Sequence, residues 1–213
     1  MAHLFPAFLN LANKDCLIIG GGKVAERKVR DLLDYDARIT VISPEAENNI
    51  KHWANQGIIT WKPRGFQVTD LDGVFLVFLA TDDRNLNHQV VSLCRNQQIL
   101  VNAVDDPPNC DFYVPSVIRR QSLAIAISTE GKSPLFARKM REELEQLITA
   151  EYGEFVEILG EQRELIKTQV ADITKRKEIL VSLVYSDILE LLKAGEKEKV
   201  RERVEQCMSF LQD

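Results

Sequence analysis

Cys16-Leu17-Ile18-Ile19-Gly20-Gly21-Gly22-Lys23-Val24-Ala25-Glu26-Arg27-Lys28 is the stretch that decides the fold. An apolar run stops at three glycines, and a run compatible with a helix follows. Gly20-x-Gly22-x-x-Ala25 fits the dinucleotide fingerprint G-x-G-x-x-G/A. Without a Cβ, Gly20 permits a tight turn at unusual φ. Gly22 lets the backbone approach a pyrophosphate, and Ala25 lets the helix pack close to the strand. The helix start at Lys23 and Val24 then offers free N–H groups and a positive dipole end to phosphates. Gly20, Gly21, Gly22, Lys23, Val24 and Ala25 are therefore candidate cofactor-binding residues. The alternative is a bare structural turn.

Outward from this stretch, strand and helix signals alternate. Asp15 to Gly20 reads as a strand buried on both faces, and Lys23 to Leu33 as a helix with Val24, Val29, Leu32 and Leu33 inward. Strands follow at residues 37–43, 58–62, 74–80 and 100–104. Helices are expected over 45–56 and from the cap Thr81-Asp82-Asp83 through Asn96, with Leu86, Val90, Val91 and Leu93 inward. Such alternation gives an α/β fold: an N-terminal Rossmann doubly wound parallel sheet. The apolar lead-in from Leu4 to Leu11 is expected beside the first strand.

The pattern changes after Asp105. Residues 112–118 and 123–128 read as strands. Ser133 and Pro134 start a helix to about Ile148, as cap and first helical residue. The rest is helical by period, with three apolar stripes. Phe155, Leu159 and Ile166 form one. Ile179, Leu180, Leu183, Val184, Ile188, Leu191 and Leu192 form the next. Val200, Val204, Cys207, Met208 and Leu211 form the last, after Gly195. The expected organisation is a Rossmann domain over 1–114, a small α+β segment over 115–150 and a C-terminal helical domain over 151–213.

Composition narrows the function. A net charge of −5 argues against nucleic-acid binding. The longest apolar run, Val74 to Ala80, is too short to span a bilayer. The N-terminus has no signal-peptide pattern. The four cysteines show no C-x-x-C pairing, so no metal site is expected of them and a reducing cytoplasm is.

In a Rossmann sheet the ligand lies at the carboxyl ends of the strands. Three such ends are polar: Ser43-Pro44-Glu45, Thr81-Asp82-Asp83 and Asn102-Ala103-Val104-Asp105. Ser43, Pro44 and Glu45 are candidates for the adenosine ribose. No Arg follows at once to take a 2′-phosphate, so NAD is favoured over NADP. Thr81 serves either the cofactor or the helix cap. Asp105 ends an apolar strand, where partial burial raises a carboxyl pKa and makes it a usable base; the alternative is a loop-starting Asp. Further on, Arg119, Arg120, Lys132, Arg138, Lys139 and Arg141 concentrate positive charge. Together with Ser128, Thr129 and the helix start they suit a polycarboxylate or phosphate. Alternatively they form a solvated face paired with Glu142, Glu143 and Glu145 at helical spacing.

The combination resembles the precorrin-2 dehydrogenase family, also found as the N-terminal module of siroheme synthases. The matching pieces are residues 20–28, 80–83 with Leu86 and Asn87, 101–105, 112–116 and 127–134, continued by Arg138, Arg141 and Glu145. The resemblance implies oxidation of precorrin-2 to sirohydrochlorin with NAD, in a homodimer. It makes Asp105 the catalytic aspartate of the Asn-x-x-Asp motif. With that substrate, Asn102, Ser128, Thr129, Lys132, Arg138 and Arg141 become candidate substrate-binding residues, since precorrin-2 carries eight carboxylates. Some members also insert Fe²⁺ into sirohydrochlorin with the same aspartate. No methyltransferase module is expected within these 213 residues. A non-enzymatic NAD-sensing dimer is the competing expectation; it would keep the glycines but would not need Asp105.

Overall fold

The structure, a computed structural model, describes residues 3–209. It falls into two compact units, residues 1–114 and 115–213. The first is built on five parallel strands: β1 (Asp15–Ile19), β2 (Arg38–Ile42), β3 (Thr60–Lys62), β4 (Leu76–Leu79) and β5 (Leu100–Ala103), in spatial order β3-β2-β1-β4-β5. The order reverses at β1, which pairs with β2 on one side and β4 on the other. Side chains alternate across the sheet. Cys16, Ile18, Val41 and Phe78 enter one core, under α1 (Lys23–Leu33) and α2 (Asn48–Asn55). Leu17, Ile19, Ile42 and Leu79 enter the other, with Val90, Val91 and Cys94 of α3 (Arg84–Asn96). Burial on both faces is why these strands read as unbroken apolar runs.

Three local readings change. The second helix begins at Asn48, because residues 44–47 fold against the glycine loop instead: Glu47 N donates to Gly21 O at 2.8 Å. Leu4, Phe5, Phe8 and Leu9 are exposed, and only Leu11 of the lead-in joins the core. On α1 the buried face is Ala25, Lys28, Val29 and Leu32. Lys28 lies over the Phe78 ring, 5.1 Å from its centroid, and burial lowers its pKa.

A charged cluster ties β3 to the following turn. The Asp70 carboxylate accepts from Lys62 Nζ (3.0 Å), Arg64 NH1 and NH2 (2.7 and 2.6 Å) and Gln67 N (2.9 Å). Its side chain is only 2% exposed, whereas the two cations keep solvent contact. The Arg64 guanidinium, foremost, holds the Asp70 carboxyl well below the usual carboxylate range. We expect Asp70→Asn to cost about 2 kcal/mol at neutral pH, since the cations it abandons remain hydrated. Both tryptophans, Trp53 and Trp61, lie in this unit, so urea unfolding followed by tryptophan fluorescence measures it. The unfolded chain takes up this proton first as pH falls. The wild-type advantage is therefore constant above about pH 5 and shrinks below about pH 4. A difference unchanged at pH 3 would show that charge is not the cause.

The second unit opens with an antiparallel pair, β6 (Ser116–Arg120) and β7 (Leu123–Ile127). β6 starts later than the expected 112, because Pro115 has no N–H to give a ladder. Among the described residues five helices follow: α4 (Pro134–Leu147), α5 (Ala150–Gln169), α6 (Ile173–Val184), α7 (Ile188–Lys193) and α8 (Lys197–Met208). The three apolar stripes meet in one core containing Phe155, Ile166, Ile179, Leu183, Ile188, Val200 and Cys207. Val184 stays 46% exposed, and Leu211 lies outside the described residues. Gly195 ends α7 at φ +74°, as its place between the last two helices required. At Gly153, α5 crosses so close to β6 that a Cβ would lie 2.7 Å from Arg120 O.

Candidate functional site

The carboxyl ends of β1, β2, β4 and β5 share one edge of the parallel sheet. At the first of them, Gly20 takes φ +117°, and a Cβ on it would stand 2.1 Å from Ala80 O. Gly21 is as constrained: a Cβ would meet Glu45 O at 2.0 Å and Ser43 Oγ at 2.4 Å. Gly22 has nothing within 4 Å of its Cβ position. It is the N-cap of α1 and brings no side chain to the helix amides. Two glycines are thus demanded by neighbouring strands, and the third leaves the positive end of α1 open to an anion. Lys23 is exposed, Val24 half-buried, and Ala25 is fully buried where α1 meets the sheet. This cradle fits a dinucleotide pyrophosphate.

At the end of β2, Ser43 is 5% exposed and its Oγ accepts from Trp61 Nε1 at 3.2 Å. Its hydroxyl is turned inward, which differs from the expected ribose contact. Pro44 and Glu45 are what this strand end shows to solvent. At the end of β4, Thr81 Oγ1 accepts from Asp83 N (3.0 Å), and Asp83 Oδ1 accepts from Leu86 N (3.0 Å) to cap α3. The Thr81 hydroxyl oxygen thus takes part in the capping turn. Asn87 Nδ2 donates to Thr81 O at 2.9 Å and fixes the same turn.

After β5 the chain makes a four-residue turn, Asp106 N donating to Ala103 O at 3.2 Å. Asp105 is its third residue, at φ +61° and exposed. The expectation of partial burial is not met, because the turn lifts the carboxylate out of the sheet. A left-handed conformation costs a residue with a Cβ on the order of 1 kcal/mol, although Asp is among the tolerated types. Asn102, read as a substrate contact, is 9% exposed and turned into the protein: Nδ2 donates to Phe112 O at 2.8 Å.

In the second unit, Ser128, Thr129 and Lys132 form the turn into α4. Ser128 Oγ accepts from Glu130 N (3.1 Å) and Thr129 Oγ1 from Ser133 N (3.1 Å). Ser133 Oγ accepts from Phe136 N (3.2 Å), and Lys132 is exposed. Arg138 Nε pairs with Glu142 (2.8 Å), Lys139 with Glu143 (3.4 Å) and Arg141 with Glu145 (2.8 Å). Arg120 is spent on backbone, donating to Ile148 O (2.9 Å) and Glu145 O (3.3 Å) at the end of α4. The basic run is thus laced with its own carboxylates, the alternative that helical spacing offered. Among the described residues, no group of three or more His, Cys, Asp or Glu stands together to hold a metal.

Comparison with known proteins accounts for this arrangement in order. Residues 7–116, more than half the chain, match a putative NAD(P)-binding family model. Residues 120–147 match the sirohaem biosynthesis protein central model, and 151–208 the sirohaem synthase dimerisation region. The chain belongs to this putative NAD(P)-binding family. A siroheme synthase of Nitrosococcus oceani is 36% identical over 203 residues, 95% of this chain and 43% of that protein. One of Citrobacter koseri is 38% identical over 210 residues, 98% and 46%. The chain thus spans less than half the length of these relatives. A solved structure of SirC, a precorrin-2 dehydrogenase, covers 97% of this chain and 100% of its own, with TM-score 0.79 and 27% identity. The fold is therefore a family property, and it sets the glycine loop and Asp105 on one sheet edge. Trp61, Arg95 and Cys110 act there without a motif of their own; Trp61 and Arg95 reach partners 18 and 13 residues away, and those of Cys110 lie 4 to 8 away.

Proposed function

We propose that this chain oxidises precorrin-2 to sirohydrochlorin with NAD⁺, a step of siroheme biosynthesis, and that it does so as a homodimer. The observation that carries the reading is the likeness to SirC along both whole chains, which makes the activity in SirC's name one that this length of chain can house. The matched dimerisation region supports a second copy as partner. Four unpaired cysteines support the cytoplasm as its compartment. No feature of the described residues favours the NAD-sensing alternative.

Gly20, Gly21 and Gly22 with Lys23, Val24 and Ala25 would hold the pyrophosphate at the start of α1, and Pro44 and Glu45 with the backbone of Ser43 would border the adenosine ribose. NAD⁺, when bound, supplies the hydride acceptor. The ring loses a hydride and a proton; Asp105, exposed at the sheet edge, takes the proton. Arg138, Arg141 and Lys132 would receive the substrate carboxylates, with Ser128 and Thr129 in the turn beside them. To do so, the two arginines exchange Glu142 and Glu145 for the ligand. Much of the rate then comes from orienting a large ring against the cofactor.

Precorrin-2 and NAD⁺ added to the purified chain should give NADH and sirohydrochlorin absorbance together. The same preparation should scatter light as twice the 24.3 kDa chain mass. NAD binding without turnover would overturn the enzymatic reading. In some members the resemblance gives Asp105 a second task, Fe²⁺ insertion; loss of the sirohydrochlorin spectrum on adding Fe²⁺ tests it here.

A further inference from the structure

The loop that carries Asp105 is closed by side chains that the reaction itself does not call for. Cys110 Sγ lies 3.1 Å from Ala103 O and 3.4 Å from Asp106 O, so one thiol spans both sides of the turn. Asn102 Nδ2 reaches Cys110 Sγ (3.5 Å) as well as Phe112 O (2.8 Å). The returning chain is stitched to β5, Asp111 N donating to Val101 O at 2.8 Å. From outside, Arg95 NH2 holds Pro108 O (3.2 Å) and Tyr113 OH holds Pro107 O (3.2 Å). The segment from 104 to 109 is thus fastened at both ends, while Asp105 itself projects to solvent in a left-handed conformation. Burial pushes the Cys110 thiol up, which keeps it in the donor form at neutral pH.

We infer that Asn102 and Cys110 are positioning residues: together they clasp the 103–112 loop and fix the direction of the Asp105 carboxylate, and neither touches the substrate. This rests on the reading of Asp105 as the proton acceptor. A carboxylate on a loop without packing of its own is aimed by whatever ties the loop down, and a displacement near 1 Å can cost about a hundredfold in rate. Asn102, read from the sequence as a substrate contact, acts here one step behind the reaction.

The test separates the clasp from the reading beneath it. Asn102→Ala and Cys110→Ala should speed hydrogen exchange of the amides of Val104, Asp105, Asp106 and Asn109, a readout independent of turnover. Both should lower kcat by about tenfold to a hundredfold with KM and NAD affinity within about twofold. Cys110→Ser, which keeps a donor, should recover most of the loss. Combined with Asp105→Asn, neither change should lower kcat further, because nothing is left to aim. Unchanged exchange, a wild-type kcat, a loss confined to KM, or losses that multiply in the double variants would each overturn the inference. Should Asn102→Ala fail to fold, the Cys110 pair carries the same test. If Asp105→Asn alone keeps wild-type turnover while exchange still rises, the clasp exists but Asp105 is not the base, and the positioning role falls with it.

Discussion

Asp105→Asn should slow precorrin-2 oxidation by about a hundredfold or more under single-turnover conditions, with NAD affinity within about twofold of wild type. Asn is the informative replacement. It has the same size and tolerates the left-handed φ of +61°, so the loop survives while the proton acceptor is lost. Ala would add backbone strain to the chemical loss and confuse the two. Asp105 is exposed, and its contribution is placement at the sheet edge. A positioned base is worth about 10²–10⁴ in rate, which sets the expected loss if proton removal limits turnover. Wild-type turnover in this variant would reduce Asp105 to a loop residue.

The second large effect divides the glycines. Gly22→Asp should leave the fold intact, because nothing lies within 4 Å of the new Cβ, yet place a carboxylate where the pyrophosphate meets α1. NAD affinity measured by calorimetry should fall by about a hundredfold or more, since repulsion replaces a helix-end attraction. Gly20→Ala should fail differently. Its Cβ would sit 2.1 Å from Ala80 O at a φ of +117°, so the join between β1 and β4 must shift. We expect a loss of about 3 kcal/mol or more, read as a lower urea midpoint rather than as a clean binding defect. Unchanged NAD affinity in Gly22→Asp would remove the fingerprint reading.

How much of this was legible in the sequence depends on whether cause and effect are neighbours in the chain. α1 runs from Lys23 to Leu33 as its period and glycines predict, and Ser133 and Pro134 start α4 as cap and first residue. The start of α2 was not legible, because residues 44–47 answer to Gly21, more than 20 positions back. The lead-in misleads for the opposite reason: Phe5 and Phe8 are apolar, but no neighbour in their own unit covers them. The pairing of the basic run was legible, since Arg138–Glu142 and Arg141–Glu145 lie one helical turn apart. Asn102 illustrates the remaining gap. Its place at a strand end suggested a ligand, and only the returning chain at Phe112 reveals what its amide holds.

The crossing at Gly153 has a consequence for how the second unit comes into being. A lone two-stranded hairpin is marginal in water, so β6 and β7 gain their full stability only when α4 packs on them and α5 then lies down on Arg120. On the ribosome the hairpin residues are made first, and the helix that completes them begins 23 positions after β7 ends, at Ala150. For a second or more at about 5–20 residues per second, the nascent strands wait with their edges unpaired. A side chain at 153 would prolong that interval, so its harm would surface as lost yield and aggregation during synthesis even where the finished protein still works.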